Sequence, residues 1–296
     1  PSHYPFEIAN GRLVDAVAGD LVIGALGRRS ATLEVVGDWS HTSVTGEMHA
    51  LTGAGLFGLA TSLSTWLKPL TPIVYRGHVV RDGRKLNMRD FVQPVTPAIP
   101  LAPLILLVGT SMSAGKTTTA RVVVRMLAER GLRVLACKLT GAARYRDILS
   151  CLDVGAEHVM DFVDAGLPST VCPESDYVPA LEHMLSRMAA LEPDVIVAEA
   201  GASPLEPYNG AEAFRRLAPL MQLSILCASD PYAVLGVMNA FGIKPDIVAG
   251  PAANTTAAVE LVQKLTGVRA LNLLERGGAE ELRMLLDERI VRPCRR

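Results

Sequence analysis

Aromatic side chains are scarce: Phe, Trp and Tyr make up 5% of the chain, while hydrophobic residues reach 49%. That balance favours a core of Val, Leu, Ile and Ala, the mix found where parallel strands are covered by helices on both faces. Neither sign of charge dominates, with 29 Lys and Arg against 30 Asp and Glu. No basic face is implied, so nucleic acid is not an expected partner. The five cysteines (Cys137, Cys151, Cys172, Cys227 and Cys294) include no C-x-x-C pair, and read as reduced thiols of a cytoplasmic protein. No apolar run approaches the ~18 residues of a spanning helix, and no charged-then-apolar leader is evident, so no membrane association is expected. There is no internal repeat.

Proline is concentrated in VQPVTPAIPLAP (92–103), where Pro94, Pro97, Pro100 and Pro103 recur at every third position. Such spacing favours an extended stretch that cannot donate a ladder of hydrogen bonds. It reads as a linker between a small β-rich N-terminal domain (1–91) and an α/β domain (104–296). Within the first, GRLVDAV, GDLVIGALG and SATLEVVG are short β-type runs punctuated by glycine. The glycine-bearing apolar stretch 50–67 predicts a helix, and 72–86 a hairpin turning at Asp82-Gly83.

After the linker the rhythm changes. LILLVG (104–109) is a continuous apolar strand, and 117–131 is helix-like, with Val122, Met126 and Leu127 near one face and Gly131 as a stop. LRVLACKL (132–139), VIVAEAG (195–201), LSILCAS (223–229) and DIVAG (246–250) read as buried strands, with a further strand or loop near 157–163. Helices are expected near 145–154, 177–191, 231–241, 254–266 and 278–288. The alternation predicts a mostly parallel sheet with helices on both faces.

Between the first of these strands and its helix stands Gly109-Thr110-Ser111-Met112-Ser113-Ala114-Gly115-Lys116-Thr117. It is one residue longer than the usual phosphate-cradling G-x-x-x-x-G-K-[ST] pattern. Backbone N–H groups of such a loop and of the first helical turn face one concavity, where the helix dipole favours an anion. Glycines let the backbone approach oxygens closely. Lys116 is placed for the β- and γ-phosphates and Thr117 for Mg²⁺. Nucleotide contacts are therefore expected from Gly109, Thr110, Ser111, Ser113, Ala114, Gly115, Lys116, Thr117 and Thr118.

The longer spacing resembles the loop of the dethiobiotin synthetase group, G-T-D-x-x-V-G-K-T, and that of P-loop proteins of the DUF1611 type. Ser111 replaces the family's Asp. The second lysine that marks MinD-like ATPases is absent. The resemblance extends to LACKLTG, where Lys138 stands in the place of a lysine that contacts substrate and phosphate, although the neighbouring Pro and Ser are missing. It extends to VAEAGAS, where Glu199 matches a Mg²⁺-binding Glu, and to IVAGPAANT, where Asn254 stands in the place of an adenine-reading Asn. Asn254 is equally a helix N-cap by its type. The likeness covers roughly 104–275 and leaves 1–91 unmatched.

A guanine-reading [NT]-K-x-D tetrad is missing. Ile243-Lys244-Pro245-Asp246 has the Lys and Asp, but Ile cannot accept from a base and the tetrad precedes its strand, which favours ATP. Arg144, Arg146 and Asp147 follow Lys138 and could bind a substrate carboxylate and complete a Mg²⁺ shell, or form a solvated helix end. Ser203, Glu206, Tyr208 and Asn209 lie in a loop that either recognises substrate or simply connects. Ser229-Asp230-Pro231 reads as a helix cap. His41, Glu47 and His49 could form a two-His-one-carboxylate site, but offer no i,i+4 pair. Cys172 has no nearby His and no assigned role.

What the resemblance implies is an ATP- and Mg²⁺-dependent enzyme that activates a small carboxylate-bearing metabolite by phosphoryl transfer, of ligase or synthetase type. Lys116, Lys138 and Glu199 would be the chemical residues, and Thr117, Glu199 and Asp147 the metal ligands. The alternatives are a nucleotide-switched binding or chaperone ATPase and a small-molecule kinase. A homo-oligomer is expected.

Overall fold

A computed structural model describes residues 4–42, 46–96 and 102–291. Part of the proline-rich linker, including Pro97 and Pro100, and Cys294 lie outside the described residues.

The chain begins with antiparallel β structure. β1 (Phe6–Glu7) pairs with β2 (Leu13–Val14). A larger sheet follows from β3 (Ala25–Leu26), β4 (Arg28–Ala31), β5 (Val35–Asp38), β6 (Glu47–Thr52), β7 (Leu56–Leu63) and β8 (Pro72–Val74). Its order is β4-β5-β7-β6-β8, with β3 alongside β7. Residues alternate between buried and exposed along β4, so that Arg29 and Ala31 face inward. The expected helix over 50–67 is instead the β6–β7 hairpin. Gly53 and Gly55 sit at its turn, where Gly55 (φ +86°) donates its N–H to the Thr52 carbonyl. Glycines at 53, 55 and 58 weaken a helix more than a hairpin, and an apolar run reads the same in either. The hairpin expected over 72–86 is split. β8 joins the larger sheet, and only β9 (Val80–Arg81) and β10 (Arg84–Lys85) turn at Asp82-Gly83, both with positive φ, as a type I′ turn requires.

The second part is a seven-stranded, wholly parallel sheet. Its strands are β11 (Leu104–Gly109), β12 (Val134–Thr140), β13 (His158–Asp161), β14 (Val195–Ala200), β15 (Met221–Cys227), β16 (Ile247–Ala249) and β17 (Arg269–Ala270). The order is β13-β12-β14-β11-β15-β16-β17. The helices are α1 (Lys116–Ala128), α2 (Tyr145–Leu152), α3 (Glu174–Ala190), α4 (Gly210–Leu217), α5 (Pro231–Phe241), α6 (Thr256–Thr266) and α7 (Arg276–Leu286). Alternate residues of β11 serve opposite faces. Leu104, Leu106 and Val108 pack with buried residues of α3, α4, α5 and α6. Ile105 and Leu107 pack with α1, Cys151 of α2 and α7. Coverage on both sides explains why β11, β12 and β14 are buried at every position and read as unbroken apolar runs. α4 and β17 are additions that the sequence reading lacks.

Because all strands are parallel, their carboxyl ends share one edge. β11 lies between β14 and β15, where the order of connections reverses. Ligands of open α/β sheets bind at such a switch point.

Candidate functional site

The loop after β11 is fixed at its start. Thr110 donates its N–H to the Cys227 carbonyl at 3.0 Å, and its Oγ1 accepts from the Ser229 N–H at 3.1 Å. The side chain of Thr110 is thus spent on the end of β15. Ser113 (φ +64°) and Gly115 (φ +91°) then take left-handed conformations, and α1 starts after Gly115 with no side-chain cap. Its leading N–H groups keep their capacity for an anion. Gly109 leaves room for a side chain that the loop pattern does not reveal. A Cβ there would lie 2.4 Å from Nζ of Lys116, whose stem runs across the glycine. That ammonium donates to the Ser111 carbonyl at 2.7 Å. Lys116 is almost wholly buried; burial lowers its pKa, opposed by the nearby Glu199 carboxylate. Ala114 is fully buried and supports the loop from beneath.

Glu199 is the penultimate residue of β14, the strand beside β11, in register with Leu107. Its Oε2 accepts from Thr117 Oγ1 at 3.2 Å. Two hard oxygen donors at the loop's mouth fit Mg²⁺ in kind, since that ion takes one or two protein oxygens and fills its shell from waters and phosphates. Lys138 pairs in register with Glu199 on one side and Asp161 on the other. Its ammonium donates to Asp147 Oδ2 at 2.7 Å. Burial pulls the Lys138 pKa down, but Asp147 and Glu199 outweigh it and the net shift is upward. Asp161 is pushed up to about 7 by burial, against a hydrogen bond from the Val163 N–H. The metal role expected of Asp147 finds it engaged elsewhere, because its carboxylate holds Lys138. No group of three His, Cys, Asp or Glu converges on a metal position among the described residues.

These groups open into one cavity of about 260 Å³. Ser113, Gly115, Lys116, Thr117 and Thr118 line its floor, with Lys138, Asp147 and Glu199 at the side. Gly141 to Arg144 form a further wall, and the Arg144 guanidinium lies 3.8 Å from Asp147 with its side chain 45% exposed. The roof belongs to the antiparallel part of the chain, where Arg29, Glu34 and Thr52 line the cavity. Arg29 and Glu34 are absent from the sequence-based site. Neither belongs to a motif; Arg29 has only the inward alternation of β4 as a signal, and Glu34, in the β4–β5 turn, has none.

Other expected residues lie elsewhere. Asn254 is not the N-cap of α6. That role falls to Thr255, whose Oγ1 accepts from the Ala258 N–H at 3.1 Å, while Asn254 ends the preceding 3-10 turn and its carbonyl accepts from Asn272. Asn254 is exposed and does not line the cavity, although Gly250 of the same segment packs against Gly115. Asp230 caps α5 through the N–H groups of Tyr232 and Ala233. The loop after Glu199 docks the antiparallel sheet. Tyr208 Oη accepts from the Ser30 N–H at 2.8 Å, and Glu206 accepts from the Thr32 N–H and hydroxyl. Asn209 donates to the carbonyls of Thr170 and Cys172, and Ser203 is buried. His49 Nδ1 accepts from the Ala60 N–H, so one supposed metal ligand is engaged. Burial pushes the Cys172 thiol up to about 11, away from nucleophilic use. Asp246 binds Ser224 and Arg289 at the amino end of β16, the edge opposite the loop.

The parallel sheet, its switch point and the glycine-lysine loop define a P-loop NTPase-type fold. No family model and no curated protein matches the chain. Among solved structures it is similar to chloroplast FtsY from Physcomitrella patens, at 14% identity and a TM-score of 0.42 over 62% of each chain. It is similar also to the signal recognition particle receptor FtsY from Elizabethkingia anophelis, at 14% identity and a TM-score of 0.40. That match covers 62% of this chain and 60% of the receptor. The chain thus spans about three fifths of each protein's length, and likeness at this level says nothing about nucleotide, substrate or partner. The dethiobiotin synthetase-like grouping rests on the sequence resemblance alone. No helix among the described residues is long and apolar enough to cross a membrane.

Proposed function

We propose that the chain is an ATP- and Mg²⁺-dependent enzyme that activates a small carboxylate-bearing metabolite by phosphoryl transfer. The observation that carries this reading is the sharing of one cavity by the Lys116 loop, the Thr117–Glu199 oxygen pair and the buried Lys138–Asp147 pair. A phosphate cradle that only gates a surface has no need of a second buried ammonium beside it.

In this reading the loop N–H groups and Lys116 hold the phosphate chain, and Thr117 with Glu199 holds the metal. Mg²⁺ would supply charge neutralisation on the phosphates. Lys138 stays protonated at neutral pH, because its carboxylate neighbours raise its pKa against burial. It can therefore offset the charge of an approaching carboxylate, and Asp147 fixes its direction. Arg144 stands at the open side, placed to steer the acid inward. Fixed donors aimed at developing charge in a dry site supply most of such catalysis. ATP is preferred to GTP because the only Lys-x-Asp near a late strand lies at the wrong sheet edge.

A second reading, a nucleotide-switched binding protein, is favoured by a different contact. Ser113 of the loop donates its hydroxyl to Glu34 of the antiparallel sheet at 3.0 Å, so a change in the loop has a direct route to that sheet. A thermal-shift panel separates the two. ATP-Mg²⁺ and GTP-Mg²⁺ are each tested alone and with a library of amino and hydroxy acids, since ligands of the native state raise its apparent stability by mass action. The enzyme reading expects a further shift from one class of acid in the presence of nucleotide. Nucleotide response with no acid response across the library sinks it and leaves the switch.

A further inference from the structure

We propose that Arg29, carried by the antiparallel sheet, is an in-cis arginine of the phosphoryl-transfer site. The inference rests on the P-loop reading and adds a residue from outside the P-loop fold. Arg29 is 7% exposed, yet it lines the cavity. Its Nη1 donates to the Leu51 carbonyl and its Nη2 to Glu34, both at 2.6 Å. Nη2 also lies 3.9 Å from Met112 Sδ, within the glycine-lysine loop. Nε is buried and has no hydrogen-bond partner. Glu34 in turn accepts from Ser113 of the loop. The guanidinium therefore touches the loop at Met112 and is linked through Glu34 to Ser113, between the two glycines, with its Nε unspent.

Such an arrangement is costly without a purpose. A buried guanidinium with an unsatisfied N–H loses that group's hydration and gains nothing in return. Phosphate oxygens placed beneath it by the loop would offer acceptors in the fork geometry that Arg matches. They would also repel Glu34, which weakens the present pair and frees the guanidinium to turn. In the transfer itself, an acceptor oxygen bonds to the terminal phosphorus as the bond from that phosphorus to the bridging oxygen breaks. The electron pair stays on the bridging oxygen of the departing diphosphate, and the acceptor arrives as a carboxylate with no proton to place. Arg29 acts on the charge that gathers across the phosphoryl oxygens.

The test uses the full chain, mant-ADP or mant-GDP, Mg²⁺ and aluminium fluoride, which imitates the transferring group. Wild type should bind the diphosphate and tighten markedly on addition of fluoride. Arg29→Ala should keep its diphosphate affinity within about threefold and lose roughly a hundredfold or more of the tightening, as removal of a transition-state arginine does. If Arg29→Ala does not fold, Arg29→Lys replaces it, keeping a cation beside Glu34; a loss of about tenfold or more is expected. Glu34→Gln, which weakens the ion pair but still accepts from Ser113, should tighten the fluoride complex several-fold. Undiminished tightening in the Arg29 variant, or none in wild type that binds mant-ADP or mant-GDP, overturns the proposal. Failure of the underlying reading looks different: Lys116→Ala would bind the diphosphate as wild type does.

Discussion

The two sheets handle charge in opposite ways. The parallel sheet is covered on both faces, and its strands β11, β12 and β14 are buried throughout. It nevertheless carries Lys138, Asp161 and Glu199 near the carboxyl ends of its strands and Lys116 on the adjoining helix, all buried. Desolvating such groups costs several kcal/mol each unless partners return it, and only an extensive apolar core can offset that. Each fully buried Leu or Val contributes roughly 1.5–3 kcal/mol. The antiparallel sheet is half-covered: β7 ends in exposed residues, and Leu33 at the β4–β5 turn is 72% exposed. Its buried charge at the cavity is Arg29, placed by contacts to its neighbours. One sheet fixes charges where water is excluded, and the other reaches over them with a few polar side chains.

The sharpest way to break this contrast is to remove a charge that the parallel sheet holds. Lys116→Ala should reduce nucleotide affinity by roughly 100-fold, the worth of one or two charge-assisted hydrogen bonds. A nucleotide-induced thermal shift equal to wild type would show that the loop does not hold phosphate. Next comes Asp161→Asn. Its folded pKa, about 7, lies above the ordinary carboxylate value, so between the two the folded state binds the extra proton and stability falls as pH rises. The variant should gain stability over wild type by roughly 1–3 kcal/mol near pH 8, with the gain vanishing below about pH 4. Denaturant melts at several pH values decide it, and a gain independent of pH would refute the assignment.

The docking of the second sheet gives smaller effects. Tyr208→Phe leaves the Ser30 N–H without its acceptor and should cost about 1–2 kcal/mol. Hydrogen exchange should show the loss in β4 and β5 and leave β11 and β14 unchanged; uniform loss would mean that the two sheets unfold as one. Leu33→Ser, at an exposed turn, should stay within about 0.5 kcal/mol of wild type, and a larger destabilisation by thermal melting would point to a hidden contact there.

The same contrast governs what could be read in advance. Double coverage turns parallel strands into unbroken apolar runs, so β11, β12, β14, β15 and β16 were legible, and the loop, Lys138 and Glu199 followed from their strand ends. Half-covered hairpins leave a weaker trace. The run 50–67 looked helical because its turn glycines sit inside an apolar stretch. Asn254 and Thr255 are both good caps by type, and backbone geometry chose the second. The roof of the cavity was out of reach for another reason. Glu34 and Ser113 are 79 positions apart, and nothing local marks a turn residue as the neighbour of a distant loop.

One short stretch of chain places both sides of the cavity. The segment that leaves Glu199 runs on to Glu206 and Tyr208, which grip Thr32 and Ser30, next to Arg29 in the chain. The carboxylate beside the loop and the guanidinium above it are therefore tied to each other through Ala200 to Pro207, so an insertion or deletion in those eight residues would disturb both at once.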